Sequence, residues 1–516
     1  MPKTWEVTME DLARRRLLGL GALLTCGIPL LGSTPSQAAD RTEGQGAPDR
    51  QPAPGDREAA ERARRISESV TVPTFPDAWF PITAHGAVGD GVTDCTGAID
   101  RAIKDCHAAG GGHVLVPEGR WATGAIHLLS GVDLHVARGA TLLFSTDPAA
   151  YLPVVRTRWQ GVELFNYSPL IYADGQHDIA VTGRGVLDAQ GDNGHWWFWV
   201  GSGQYGWQPG MPNQRADWAA LERMGVEGVP VEERVFGAGH YLRPSFIQPR
   251  SCRNVLIEGV TLRRSPMWNI HPVLCREVTV RDVVVESVGP NGDGCDPDSC
   301  ENVVIRRVTF ATHDDCVAIK SGRDQDGWRV GVPSRNVLIE DCRYLGGGGA
   351  VAVGSEMSGG VENVVARRLW IPYDSSLDEA SVAWILSVKS TSTRGGYIRD
   401  VHIADVACPA WTYVPFEVTF QYMGGTGGER YPEVSRLTAR NWSVGGPCEI
   451  PFRIRAVPAA PVETVRLENL SFTQAAKDPV MENATGVTVR DVLIGGSPYP
   501  TDTARTTQAG QMREAG

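Results

Sequence analysis

Apolar and polar residues alternate in short runs over most of this chain, and the runs return at a near-constant interval. "RNVLIEGVTL" begins at Arg253, "REVTVRDVVV" at Arg276, "ENVVIRRVTF" at Glu301, "RNVLIEDCRY" at Arg335 and "ENVVARRLWI" at Glu362. The successive intervals are 23, 25, 34 and 27 residues, and the insertion "RDQDGWRVGVPS" accounts for the long one. "IRDVHIADV", "VETVRLENLSF" and "GVTVRDVLI" echo the same pattern further on. Alternating β-branched residues predict strands, and a period in the twenties predicts stacked coils of parallel strands. A leucine-rich repeat needs recurring leucines and a helical half, and neither is present. The intervals leave no room for the helix of a βαβ unit, and a β-sandwich would leave the spacing unexplained. The expected fold class is all-β, a right-handed parallel β-helix.

Elements outside the repeat complete the layout. "GDGVTDCTGAIDRAIKDC" places Ala98, Ile99, Ala102 and Ile103 at helical spacing behind a Thr/Asp start, which predicts a capping helix over Asp94–Cys106. The stretch 200–240 breaks the rhythm and is expected to form a long loop with a short helix overhanging a cleft. Residues 1–38 carry an arginine cluster, a short apolar run and small residues at Ser36 and Ala38, the layout of an export leader of twin-arginine type. The expected organisation is leader 1–38, flexible linker 39–74 with room for a short helix, catalytic β-helix 75–498 and disordered tail 499–516.

Composition narrows the partners. The net charge of −11 argues against nucleic acid or an anionic membrane, and a monomer is expected. Fifteen tryptophans suit a carbohydrate-facing surface as well as a large β core. Export would remove Cys26 and leave ten cysteines, an even number compatible with disulfides in an extracellular protein. No C-x-x-C pattern appears, so no structural metal is expected.

Candidate chemistry gathers in two neighbouring repeats. Asp293 lies in "PNGDGCDPDSC", and Asp314 and Asp315 lie 21 and 22 residues later in "TFATHDDCVAIKSG". One coil is about that long, so the three acids should meet on one face. Carboxylates so close repel, and at least one pKa should rise, the condition that glycosidic cleavage exploits. Calcium ligation and plain polar turns fit the same spacing. Adjacent strand residues point to opposite faces, so Asp314 and Asp315 share a site only if the chain bends between them.

At these residues the chain resembles glycoside hydrolase family 28, the polygalacturonase family. The resemblance runs from about Phe80 to Tyr422 and includes "GDGVTDCTGAIDRAI", "GGGHVLVPEGRWATGAI", "RPSFIQPRSCRNVLIEGVTLRRSPMWNIHP", "PNGDGCDPDSC" and "DDCVAIKSG" in order. It implies hydrolysis with inversion, without cofactor or metal, on a pectic polysaccharide. It makes Asp314 the general acid, with Asp293 and Asp315 holding and deprotonating water. It places Asn291, Lys320, Lys389 and Tyr422 at the substrate, with His313 a replacement for the family's histidine, whose own place is Gly348. The family's arginine is replaced by Ser387, which predicts a specificity altered from ordinary polygalacturonase. A lyase or epimerase, or a non-catalytic carbohydrate-binding β-helix, is the alternative on the same fold.

Overall fold

The computed structural model describes residues 54–373, 382–425 and 427–500. The expected leader, Cys26, linker residues 39–53 and the tail beyond residue 500 lie outside the described residues. The chain divides within helix α1 (Pro54–Glu68) into a first unit ending at Ala60 and a second running from Glu61. Of the first unit only the opening turns of α1 are described; the solenoid and its cleft belong to the second.

The repeats seen in the sequence are the coils of a right-handed parallel β-helix. Arg253 pairs with Arg276, Arg276 with Glu301, Glu301 with Arg335 and Arg335 with Glu362. The same ladder continues through Arg399. Inside the solenoid, Val278, Val303, Val337 and Val364 stack at full burial, and Val280, Ile305 and Ile339 form a second column two residues on. Each such side chain contributes roughly 1.5–3 kcal/mol on leaving water, so the columns hold the coils in register. The residue after each repeat start turns the chain through the left-handed region, at Asn254 (φ 57°), Glu277 (58°), Asn302 (59°), Asn336 (57°) and Asn363 (54°). Asparagine tolerates that conformation, and here it also links coils: Asn336 Nδ2 donates to Asn302 Oδ1 at 2.8 Å and Asn363 Nδ2 to Asn336 Oδ1 at 2.8 Å.

Three helices in the second unit frame this stack. Helix α2 (Thr96–Ala108) buries Ala98, Ile99, Ala102, Ile103 and Cys106 against the first coil, as its spacing predicts. Helix α3 (Arg215–Glu227) lies in the arrhythmic 200–240 stretch. It anchors Leu221 in a cluster with Trp159, Leu164, Phe236 and Trp268. Helix α4 (Asp324–Val330) occupies the insertion that lengthened the third interval.

Two expectations are refined by the structure. Helix α1 falls within the segment read as flexible linker, and its Ala63 and Ile66 are buried on Val304, Leu338 and Val365. Those three face outward between inward neighbours, so the helix covers an apolar stripe that the coils leave open. The ten cysteines expected to pair are all free and buried. Cys275 Sγ, for instance, donates to the carbonyls of Pro249 and Val273. These thiols serve as small core residues.

Candidate active site

The aspartates are brought together by stacking of adjacent coils. The Gly294 N–H donates to Asp315 O at 2.9 Å, and Cys295 pairs in parallel with Val317. The strand Thr309–Thr312 ends just before the acidic pair. There Thr312 Oγ1 donates to Asp314 O, and the Asp315 N–H donates to Asp314 Oδ1, both at 2.9 Å. This bend supplies what strand geometry alone forbids. One carboxylate oxygen each from Asp293, Asp314 and Asp315 lie within 4.8 Å of one another. Asp293 and Asp315 are buried, while Asp314 is partly exposed to the cleft.

Cations and dipoles surround the trio. Lys389 Nζ donates to Asp315 Oδ2, and the Gly349 N–H donates to Asp315 Oδ1 at 2.8 Å. Lys320 is wholly enclosed, 3.9 Å from Asp293 and 3.2 Å from Glu356, over the ring of Trp268 at 4.4 Å. Lys389 lies 5.2 Å from the centre of the Tyr422 ring. Buried Arg243 donates to Asn291 Oδ1 at 2.7 Å and to the carbonyls of Pro266 and Pro290. With its oxygen so occupied, Asn291 keeps its amide N–H groups for a ligand.

Burial raises the Asp293 carboxyl well above the usual range, Asp314 and Asp296 reinforce the rise, and Lys320 opposes it. Asp296 is raised as well, chiefly by burial. Burial also disfavours the Glu356 carboxylate, yet Lys320, Arg323 and Arg394 together hold its pKa well below the ordinary value. The site therefore sets two acids whose burial favours the protonated form beside a carboxylate locked between cations.

Asp296 yields a test of these electrostatics. Its two carboxyl oxygens are buried with no hydrogen-bond partner among the described residues. A folded pKa above the ordinary 3.8 gives stability that is full below that value and is lost as pH rises through the folded value. Asp296→Asn, which resembles the protonated acid, is expected to melt above the parent by a margin that widens as pH climbs from 4 to 8. Thermal melts across that range check it, and a margin independent of pH contradicts it.

Of the eight expected site residues, Asp293, Asp314, Asp315, Asn291, Lys320, Lys389 and Tyr422 line one cleft of about 610 Å³. His313 does not line it; the ring is partly buried, edge-on to Tyr205 at 6.3 Å. Gly348 holds the family's histidine position for a steric reason. A Cβ there would stand 3.0 Å from Asp315 Oδ1 and 3.3 Å from Asp315 N. Ser387 is buried in the strand Val382–Lys389. Guanidinium groups reach the cleft instead from Arg323 and Arg394. Arg394 bridges Asp324 Oδ1 at 2.7 Å and Ser355 O at 2.9 Å, and Arg323 pairs with Glu222 of α3.

Sequence patterning assigns no role to Arg323, Glu356, Arg394, Trp218 or Glu222, all of which line the cleft. The runs "GSE" at 354–356 and "RGG" at 394–396 are sequence signals for Glu356 and Arg394. The aromatic run "HWWFW" at 195–199 lies outside the cleft lining: Trp196 and Trp199 are local core, packed with Tyr151 and Tyr241.

The family model described as glycosyl hydrolases family 28 matches residues 238–430. A hyperthermoactive exopolygalacturonase from Thermotoga maritima is similar in structure, with a TM-score of 0.81 and 41% identity over 86% of this chain and 97% of that one. A probable polygalacturonase of Vitis vinifera is 28% identical over 81% of this chain and 79% of its own length. An exo-poly-alpha-D-galacturonosidase of Dickeya chrysanthemi is 27% identical over 56% of this chain and 49% of its own length.

Proposed function

Because the chain belongs to glycosyl hydrolases family 28, we propose that it releases galacturonate from the end of a pectic chain by hydrolysis with inversion, outside the cytoplasm. It is a glycoside hydrolase of polygalacturonase type; the chain-end action, the stereochemistry and the site of action are the proposal. The observation that carries it is the gathering of three carboxylates within 4.8 Å in a cleft lined by four cationic side chains, Lys320, Arg323, Lys389 and Arg394.

In this reading Asp314 gives its proton to the leaving glycosidic oxygen. Asp293 and Asp315 hold a water and take its proton as the water attacks the anomeric carbon. Asp314 is the most exposed member of the trio in the cleft, which suits it to reach the leaving oxygen. Burial and the nearness of Asp314 raise the proton affinity at Asp293, which suits that carboxylate to take the proton from the water. Inverting enzymes with two carboxyls commonly separate them by about 6.5–9.5 Å to admit the water. Oxygens as close as these suit a water held beside the acid by a pair of bases.

Chain-end action is supported by α3, whose Trp218, Glu222 and Val226 form one wall of the cleft. The Arg323–Glu222 ion pair ties that wall to the segment just beyond Lys320. Substrate carboxylates meet Arg323, Arg394 and the two lysines rather than an arginine at residue 387, and this is the sense in which specificity is altered. Guanidinium and carboxylate match as planar bidentate partners.

Defined oligogalacturonates, with mass spectrometry and early proton NMR of the products, test the proposal. Monomer from the outset, appearing first as the β-anomer, is expected. A ladder of mid-chain fragments contradicts chain-end action, the α-anomer contradicts inversion, and an unsaturated, ultraviolet-absorbing product contradicts hydrolysis.

A further inference from the structure

On the first sheet of the solenoid lies a hollow of about 640 Å³ that shares no lining residue with the catalytic cleft. Its floor is built from successive coils, with His113 paired in register to Asp133 and Leu115 to His135. Its raised edge is Trp79, which is 47% exposed. The indole stacks on His113 at 4.4 Å and 24°, meets His135 edge-on at 5.4 Å, and donates from Nε1 to Asp77 at 2.7 Å. Three contacts thus fix the ring while part of its surface stays open to solvent.

The charges around that platform are unevenly matched. The buried Asp133 carboxylate is engaged by His113 at 2.7 Å and Thr182 at 2.8 Å. At the rim, Glu258 is paired with Arg281 at 2.9 Å and Asp282 with Arg307 at 2.7 Å. Arg138 and Arg184 also line the hollow and are exposed, and neither has an ion-pair partner among the described residues. The charged side chains left without an ion-pair partner are therefore guanidinium groups, and they lie beside an aromatic face.

We propose that this hollow is a second, non-catalytic site for an acidic sugar chain, with Trp79 under a ring and Arg138 and Arg184 on its carboxylates. An indole face packs against the apolar C–H side of a pyranose, and a guanidinium grips a carboxylate in a bidentate manner. An uncharged glycan would leave the two arginines unused. That the acidic sugar is galacturonate rests on the proposed function. Held there, a polymer keeps its free ends at high effective concentration near the same molecule's cleft.

Calorimetric titration with trigalacturonate tests this in the Asp314→Asn protein, which should consume the probe at least about a hundredfold more slowly than the parent. Two classes of site are expected, and Arg138→Ala with Arg184→Ala should remove one of them or weaken it about tenfold. Trp79→Ala should weaken the same class, and galactotriose should not bind there. A single class in the Asp314→Asn protein, or two classes untouched by the arginine substitutions, overturns the proposal. In the otherwise parental chain the arginine pair should keep kcat on the trimer and raise KM on long polygalacturonate; an unchanged polymer KM also counts against it. Should the parental chain leave the trimer intact, the hydrolytic reading falls, and the groove is still judged by the paired isotherms.

Discussion

Asp314→Asn is expected to lower kcat on oligogalacturonate by about 10²–10⁴-fold, the usual worth of a positioned acid, while KM and melting temperature stay near the parental values. The substitution is nearly isosteric. The Asn carbonyl can still accept the Asp315 N–H that Asp314 Oδ1 accepts at 2.9 Å, so the bend that presents both acids should survive. What is lost is a proton for the leaving oxygen. An aryl galacturonide with a good leaving group needs no such proton, and on that substrate the variant should recover most of the loss. Parallel kinetics on the two substrates check this, and an equal loss on both contradicts the acid role.

Lys389→Met should be nearly as damaging, for a different reason. Lys389 Nζ donates to Asp315 Oδ2 and stands over Tyr422, and Asp315 is 1% exposed. Removing the ammonium leaves a buried acid with the Gly349 N–H at Oδ1 and no cation on the other oxygen. Breaking a buried pair by deleting one partner costs about 3–5 kcal/mol. Part of that should appear as a lower melting temperature and part as a fall in kcat/KM of about 10²–10³-fold. Lys389→Arg should restore charge but only some activity, because a planar fork does not reproduce a compact ammonium. Steady-state kinetics with thermal melts measure both. Activity within a few-fold of the parent in the methionine variant would show that Asp315 needs no cation.

The parts legible in the sequence were those that repeat. Register partners such as Arg276 and Glu301 were visible as repeat starts because each coil must place an apolar column inside. The meeting of Asp293 with Asp314 and Asp315 followed from one coil length, and that spacing is a property of the chain. The bend at Thr312 that turns both acids into the cleft is set by hydrogen bonds to Asp314 O, which no alternation pattern encodes. The docking of helix α1 was hidden because its segment is dominated by charge, with few apolar residues to mark the buried face. The cysteine count misled because a thiol in a solenoid column is satisfied by a neighbouring carbonyl as readily as by a second sulfur. His313 was adjacent in sequence to the acidic pair, yet the bend that presents the acids leaves it outside the cleft lining. Arg323, Glu356 and Arg394 come from separate coils and loops, so their convergence depends on the stack as a whole.

A crystal structure of the Asp314→Asn protein with trigalacturonate bound would test most directly whether stacked coils assemble one hydrolytic centre. The expected result is the scissile oxygen within about 3 Å of the residue 314 side chain, hydrogen-bond reach for a general acid, with a water between Asp293 and Asp315 facing the anomeric carbon. A trimer bound with its glycosidic oxygens beyond reach of residue 314, or with no water on that pair, would contradict the account.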